Sequence, residues 1–140
     1  MKLDALAAQD ARIRFLPPVP NERVVSLLAG YHLLAVPSRW METGPLVVLE
    51  AFAAGTPVVG SKLGGISEWV RHGENGLLVD FDDIAGWADA LKRCARDRRL
   101  LSSLQDGVEL PRSMTAVARE MAQMYEAHFV SPALCSDKPD

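Results

Sequence analysis

The sequence of 140 residues holds only two cysteines, and no apolar run in it approaches the ~18 residues of a membrane-spanning helix. Cys94 and Cys135 have neither metal-ligand nor redox spacing, and two thiols do not build a disulfide scaffold. A reducing cytoplasm is the expected compartment, with peripheral attachment to the inner membrane left open for an intact enzyme. The start, Met1 to Ala8, is too short and too acidic for a signal peptide. Patterns of the GxGxxG, P-loop and HExxH kinds are lacking, which weakens dehydrogenase, NTPase and metalloprotease readings. No strong charge of one sign is present either; a net charge of −3 gives no reason to expect nucleic-acid binding. His32, His72 and His128 lack ligand spacing and read as loop or helix-surface residues. No internal repeat or low-complexity tract interrupts the chain. What remains is a composition of 49% hydrophobic and 24% charged residues, that of an ordinary globular domain.

In order, residues 2–9 suggest a short amphipathic helix, and Arg12 to Leu16 alternates basic and apolar residues as a half-buried strand does. Pro17-Pro18-Val19-Pro20 ends that strand. Asn21 is placed to cap a helix that stops at Gly30, and Leu33 to Val36 is a short apolar strand of the buried parallel type. Further strands are expected at Val58-Val59 and Leu77 to Val79. Helices are expected at Gly65 to Arg71, from Asp82 or Asp83 to Cys94, near Arg98 to Leu104, and from Ser113 or Thr115 onward. Trp87 and the stripe of Met121, Met124 and Tyr125 read as core, and residues 131–140 as a flexible tail. Alternation of strands and helices implies a mostly parallel sheet with ligands at the strand carboxyl ends. The segments after Leu16, Pro37, Gly60 and Val79 then share one edge.

The chain turns on Met41 to Gly60. Gly44 is a tolerable N-cap and Pro45 suits the first helical position. From Leu46 to Ala54 every residue is apolar except Glu50, so the helix is expected to be buried on all sides. A carboxylate carried into such an interior needs hydrogen-bond partners. Glu42 stands just before the helix, where free N–H groups can hold an anion such as phosphate. From the residues alone, Glu42 is equally a complement to the helix dipole, worth ~0.3–1 kcal/mol, and Glu50 equally a structural hydrogen-bond partner.

Glu42 and Glu50, with seven residues between them, resemble the Glu-x7-Glu signature of family 4 retaining glycosyltransferases, which have the two-domain GT-B fold. Leu33-Leu34-Ala35-Val36-Pro37-Ser38, Glu50 to Val59, Gly64-Gly65-Ile66-Ser67-Glu68 and Asn75-Gly76-Leu77-Leu78-Val79 are similar to that family's other blocks, in the same order. The resemblance implies a Rossmann-like α/β fold, a parallel sheet flanked by helices. Residues 1–130 would be the C-terminal nucleotide-sugar-binding domain, incomplete at its N-terminal side. It implies that Glu42 contacts the transferred sugar as the catalytic residue and that Glu50 holds the ribose hydroxyls. Thr43, Gly44, Leu46 and Val47 would offer backbone N–H groups, Gly64 and Gly65 a close backbone approach, and the loop at Leu16 a cradle for the base. The loop departs from the commoner Glu-x-Phe-Gly-Leu form, having Gly44-Pro45 where Phe-Gly is usual.

Implied with these are a nucleoside-diphosphate sugar as donor, no cofactor and no metal, and an acceptor-binding N-terminal domain as partner. Asp80-Phe81-Asp82 reads as strand end plus helix cap, and Lys62 as a surface lysine. The Arg and Lys pair that neutralises the diphosphate in the family has no place in residues 1–11. A donor-domain fragment, inactive alone, is the expectation; a homodimer through an exposed sheet edge is the expected response to its missing strands. A non-catalytic nucleotide-binding module and a sugar-nucleotide epimerase fragment stay as alternatives.

Overall fold

The computed structural model describes residues 10–129 together with 5, 7 and 8. The helix expected over 2–9 falls largely, and the tail over 131–140 and Cys135 wholly, outside the described residues. From Asn21 onward the described residues form, in order, α1 (Asn21–Leu28), β1 (Leu34–Val36), α2 (Leu46–Ala53), β2 (Val58–Ser61), α3 (Gly64–Trp69), β3 (Gly76–Val79), α4 (Ile84–Arg96), α5 (Arg98–Asp106) and α6 (Met114–Phe129).

The strands form one parallel sheet in the order β1-β2-β3, with Leu34 opposite Val58 and Ser61 opposite Val79. Parallel pairing needs a crossover, and α2 and α3 supply the two. Because side chains alternate across a strand, the sheet has two apolar faces. Val58 packs with Leu28, Val48, Ala51, Phe52, Ile66 and Val70 from α1, α2 and the α3 region. Val59 and Leu77 turn the other way, towards Ala90, Cys94 and Leu104 of α4 and α5. The result is three layers, helices on both faces of a parallel sheet. In it β2 and β3 are largely buried, while β1, expected to be buried, is a half-buried edge strand with Ala35 exposed. Gly60 is required by this packing: a Cβ there would run into the Ile66 side chain as α3 crosses β2.

Capping departs from expectation at one end and meets it at others. Asn21 lies inside α1, with Pro20 flanking it and no side-chain cap. Asp83 caps α4 by accepting the Gly86 N–H, and Asp97 accepts from Arg99 and Leu100 at the start of α5. The Ser113 hydroxyl accepts the Ala116 N–H at the start of α6. Asp80 follows β3 directly, and its carbonyl accepts the Asp83 N–H and the Trp87 indole N–H. Gly55, at φ 72°, turns the chain from α2 into β2.

Two further expectations fail here. Arg12 to Leu16 is irregular rather than a strand, with Ile13, Phe15 and Leu16 each more than half exposed. Among the described residues β1 pairs only with β2, so nothing beside the segment offers it a ladder, and alternation alone makes no strand. The stripe on α6 is not core: Met121, Met124 and Tyr125 are 47%, 61% and 56% exposed. Trp87, by contrast, is half-buried against the α4–α5 side of the core.

Candidate functional site

The parallel register brings Val36, Ser61 and Val79 to one edge, so the segments after β1, β2 and β3 meet there. The Lys62 N–H donates to the Val79 carbonyl at 2.7 Å, carrying the β2–β3 ladder one residue past the strand. The loop 37–45 is fastened to the next crossover by the Gly65 N–H, which donates to the Glu42 carbonyl at 2.7 Å. Close approach there demands glycine. A Cβ on Gly64 would lie 2.7 Å from the Glu42 carbonyl oxygen, and one on Gly65 2.9 Å from that of Thr43. Gly64 also sits at φ 49°, a left-handed value that β-carbon-bearing residues resist. The glycine pair thus lies against the Glu42 loop, and the Gly65 N–H already has a protein acceptor.

Glu42 is exposed at this edge. Its Oε1 lies 3.0 Å from the Ser38 hydroxyl, which lies 3.3 Å from both the N–H and the carbonyl of Trp40. The N–H groups of Thr43, Gly44, Leu46 and Val47 have no acceptor among the described residues; the Val48 N–H donates to Pro45. α2 begins at Leu46, one residue later than Gly44 and Pro45 suggest, with Pro45 as the flanking residue. The open N–H groups and the exposed carboxylate make an edge that can receive both an anion and a hydroxyl-rich group.

α2 is not buried on all sides. Val48, Ala51 and Phe52 face the core, while Leu46, at 71% exposed, shares the opposite side with half-buried Glu50 and exposed Ala53. The Glu50 carboxylate has no hydrogen-bond or ion-pair partner among the described residues. Half exposure explains this: water can solvate the charge, so no internal partner is required. Trp40 and Met41, beside Glu42, are 81% and 77% exposed.

Other expected participants are placed as follows. Leu16 lies in the irregular segment after Arg12, exposed, and belongs to no strand. Lys62 is exposed, and Glu68 is exposed with no partner among the described residues. The His72 Nδ1 accepts the Leu78 N–H at 3.0 Å, a structural role. Burial pushes the Cys94 thiol above its ordinary value. Among the described residues no group of His, Cys, Asp and Glu is arranged to hold a metal. Ser38 was legible only as part of a Pro-Ser pair; its contact with Glu42, four residues on, depends on the turn that Trp40 makes. A cleft of about 580 Å³ lies elsewhere, at the amino end of β1 between Tyr31-His32-Leu33 and α4–α5.

Fold and edge together define an α/β domain with helices on both faces of a parallel sheet, an architecture whose ligands sit at the strand carboxyl ends. The sequence model of the family described as glycosyl transferases group 1 matches residues 1–97, and the chain belongs to that family. It is 43% identical over 119 residues to a D-inositol 3-phosphate glycosyltransferase of Corynebacterium efficiens, covering 83% of this chain and 28% of the relative. The like-named protein of Nocardia farcinica is 48% identical over 87 residues, 62% of this chain and 19% of that one. The chain therefore spans less than a third of the length of these relatives. Among solved structures it resembles the sucrose-phosphate synthase of Thermosynechococcus elongatus, with TM-score 0.76 and 28% identity over 90% of this chain and 33% of that one. It also resembles Anabaena HepE in complex with UDP-glucose, with TM-score 0.73 and 25% identity over 90% and 36%. The architecture is that of a GT-B glycosyltransferase. No helix among the described residues is long and apolar enough to cross a membrane.

Proposed function

We propose that this chain is the donor-binding part of a retaining glycosyltransferase, which moves a hexose from a nucleoside-diphosphate sugar to a hydroxyl acceptor. The observation that carries the reading is the Glu50 carboxylate, half-buried on α2 without a partner among the described residues. A carboxylate so placed suits the paired hydroxyls of a ribose. Glu42 would meet the transferred sugar from the mouth of the same helix. The unpaired N–H groups of Thr43, Gly44, Leu46 and Val47 would take sugar hydroxyls and phosphate oxygens. Gly64 and Gly65 serve the same edge by letting the Glu42 loop lie against α3, and the loop at Leu16 falls to the base. No cofactor or metal is assigned; the leaving diphosphate would assist front-face attack.

The open edge forms one wall of a cleft, and an N-terminal acceptor-binding domain would supply the other. Alone, the chain binds donor weakly and transfers nothing. The printed name of its relatives makes D-inositol 3-phosphate the first acceptor to try with a completed enzyme. Calorimetry against UDP-, ADP- and GDP-sugars tests the donor assignment. Glu50→Ala removes an acceptor of charge-assisted hydrogen bonds worth ~1.5–3 kcal/mol, so affinity falls about tenfold or more while the melting temperature stays put. Equal binding by both proteins, or none by the unaltered chain, overturns the assignment.

A further inference from the structure

We infer that Ser38 is the positioning residue for Glu42, holding one carboxylate oxygen so that the other faces the transferred sugar; this rests on the role proposed for Glu42. The Ser38 oxygen has three neighbours within hydrogen-bond distance and a single proton to give. The Trp40 N–H, at 3.3 Å, can only donate, so it takes a serine lone pair. Of the two acceptors, the Glu42 Oε1 at 3.0 Å is nearer and charged, while the Trp40 carbonyl at 3.3 Å is neutral. The proton therefore goes to Glu42. Each bond in the relay from Trp40 N–H through Ser38 to Glu42 polarises the next.

The geometry ties both ends of the Glu42 residue. Its carbonyl is fixed by the Gly65 N–H, and its Oε1 by Ser38. Oε2 has no partner among the described residues and is left for a ligand hydroxyl. An exposed glutamate otherwise moves among several rotamers, and a sugar would have to order it on arrival. Pro37, immediately before, restricts φ at the exit from β1 and so sets the direction in which Ser38 points.

The test reads the side chain of Glu42 in the chain itself. Three-bond couplings to its Cγ, measured by NMR on labelled protein, report whether χ1 holds one rotamer. In the unaltered chain a single rotamer is expected; in Ser38→Ala the couplings average, and in Ser38→Thr, which keeps the hydroxyl, they return. Averaged couplings in the unaltered chain, or unchanged ones in Ser38→Ala, overturn the inference. A second measurement uses UDP-glucose and UDP as probes. Ser38→Ala lowers the preference for UDP-glucose over UDP about tenfold, the factor for one charge-assisted hydrogen bond, and leaves UDP affinity unchanged. A loss of UDP affinity equal to that for UDP-glucose would instead mark Ser38 as a general loop brace and overturn the positioning role. Should the unaltered chain bind neither probe, the donor assignment is what suffers, and the couplings still decide for or against Ser38.

Discussion

Residues 34–107 and the two flanks, 11–20 and 114–128, use equally apolar vocabulary and reach opposite ends. In the central part Val48, Val58, Val59, Ile66 and Leu104 are wholly buried against one another on the two faces of the sheet. In the flanks Ile13, Phe15 and Leu16 stand more than half exposed, and every side chain from Ala118 to His128 is exposed. The difference is one of partners. An apolar residue stabilises a fold only when other residues remove it from water, at roughly 25 cal/mol per Å². The centre carries its own partners, since each crossover returns a helix to the sheet. The flanks leave most of their apolar side chains in water.

The largest expected effect puts that contrast to measurement by urea denaturation. Leu104→Ala, in the wholly buried seam between α5 and the sheet, is expected to cost about 2–5 kcal/mol from lost transfer energy and the cavity left behind. Met121→Ala in α6 is expected to change stability by less than ~0.5 kcal/mol, since its side chain is already about half in water. A Met121→Ala cost near that of Leu104→Ala would break the comparison by showing that α6 is covered in solution. Sedimentation would then say whether a second copy covers it; a homodimer through the open edge of β1 is the arrangement to look for.

The same contrast explains what the sequence made legible. Val58-Val59 and Leu77 to Val79 are short runs bounded by glycine and proline, and they are strands because both faces are covered. Glu42, Gly64 and Gly65 were singled out, and the fold brings all three together at one edge. Arg12 to Leu16 and the Met121 stripe have equally good periodicity. Periodicity, however, states only that an element has an apolar side, not that the same chain covers it. Glu50 shows the limit at the site. A run of apolar residues from Leu46 to Ala54 suggested burial on every side, but a helix resting on one face of a three-stranded sheet leaves its far side open. That far side is where Glu50 stands.

A smaller effect separates two glycines of the site. A Cβ at Gly65 would meet the Thr43 and Glu42 carbonyl oxygens and the Pro45 ring within about 3 Å, whereas at Gly44 it would meet nothing within 4 Å. Gly65→Ala is therefore expected to destabilise by ~1–3 kcal/mol through overpacking and to push the Glu42 loop off α3. Gly44→Ala should leave both stability and loop position unchanged. Thermal melts give the first quantity. Amide shifts of Glu42 and Thr43 give the second, and equal shifts from the two variants would remove the claim that the loop is held by its approach to α3.

The smallest effect lies at the entrance to the N-terminal flank, where the Arg12 guanidinium grips Asp10. The Arg12 Nε and Nη2 donate to both carboxylate oxygens, at 2.9 Å and 2.6 Å for the shortest pair, and the Arg12 N–H also donates to Oδ1. These bonds lower the Asp10 carboxyl to about 2. The folded value lies below the unfolded one. Any contribution to stability is therefore fully present above the ordinary aspartate range and fades as pH falls towards about 2. The pair is solvent-exposed and screened by salt, so it orders a turn more than it stabilises the domain. An NMR titration of Asp10 should show the depressed midpoint, and Arg12→Ala should return it to the ordinary range without moving the denaturation midpoint at neutral pH. A drop in global stability on that change would mean that the flank is fastened to the centre after all, and the division between the two regions would need redrawing at residue 10.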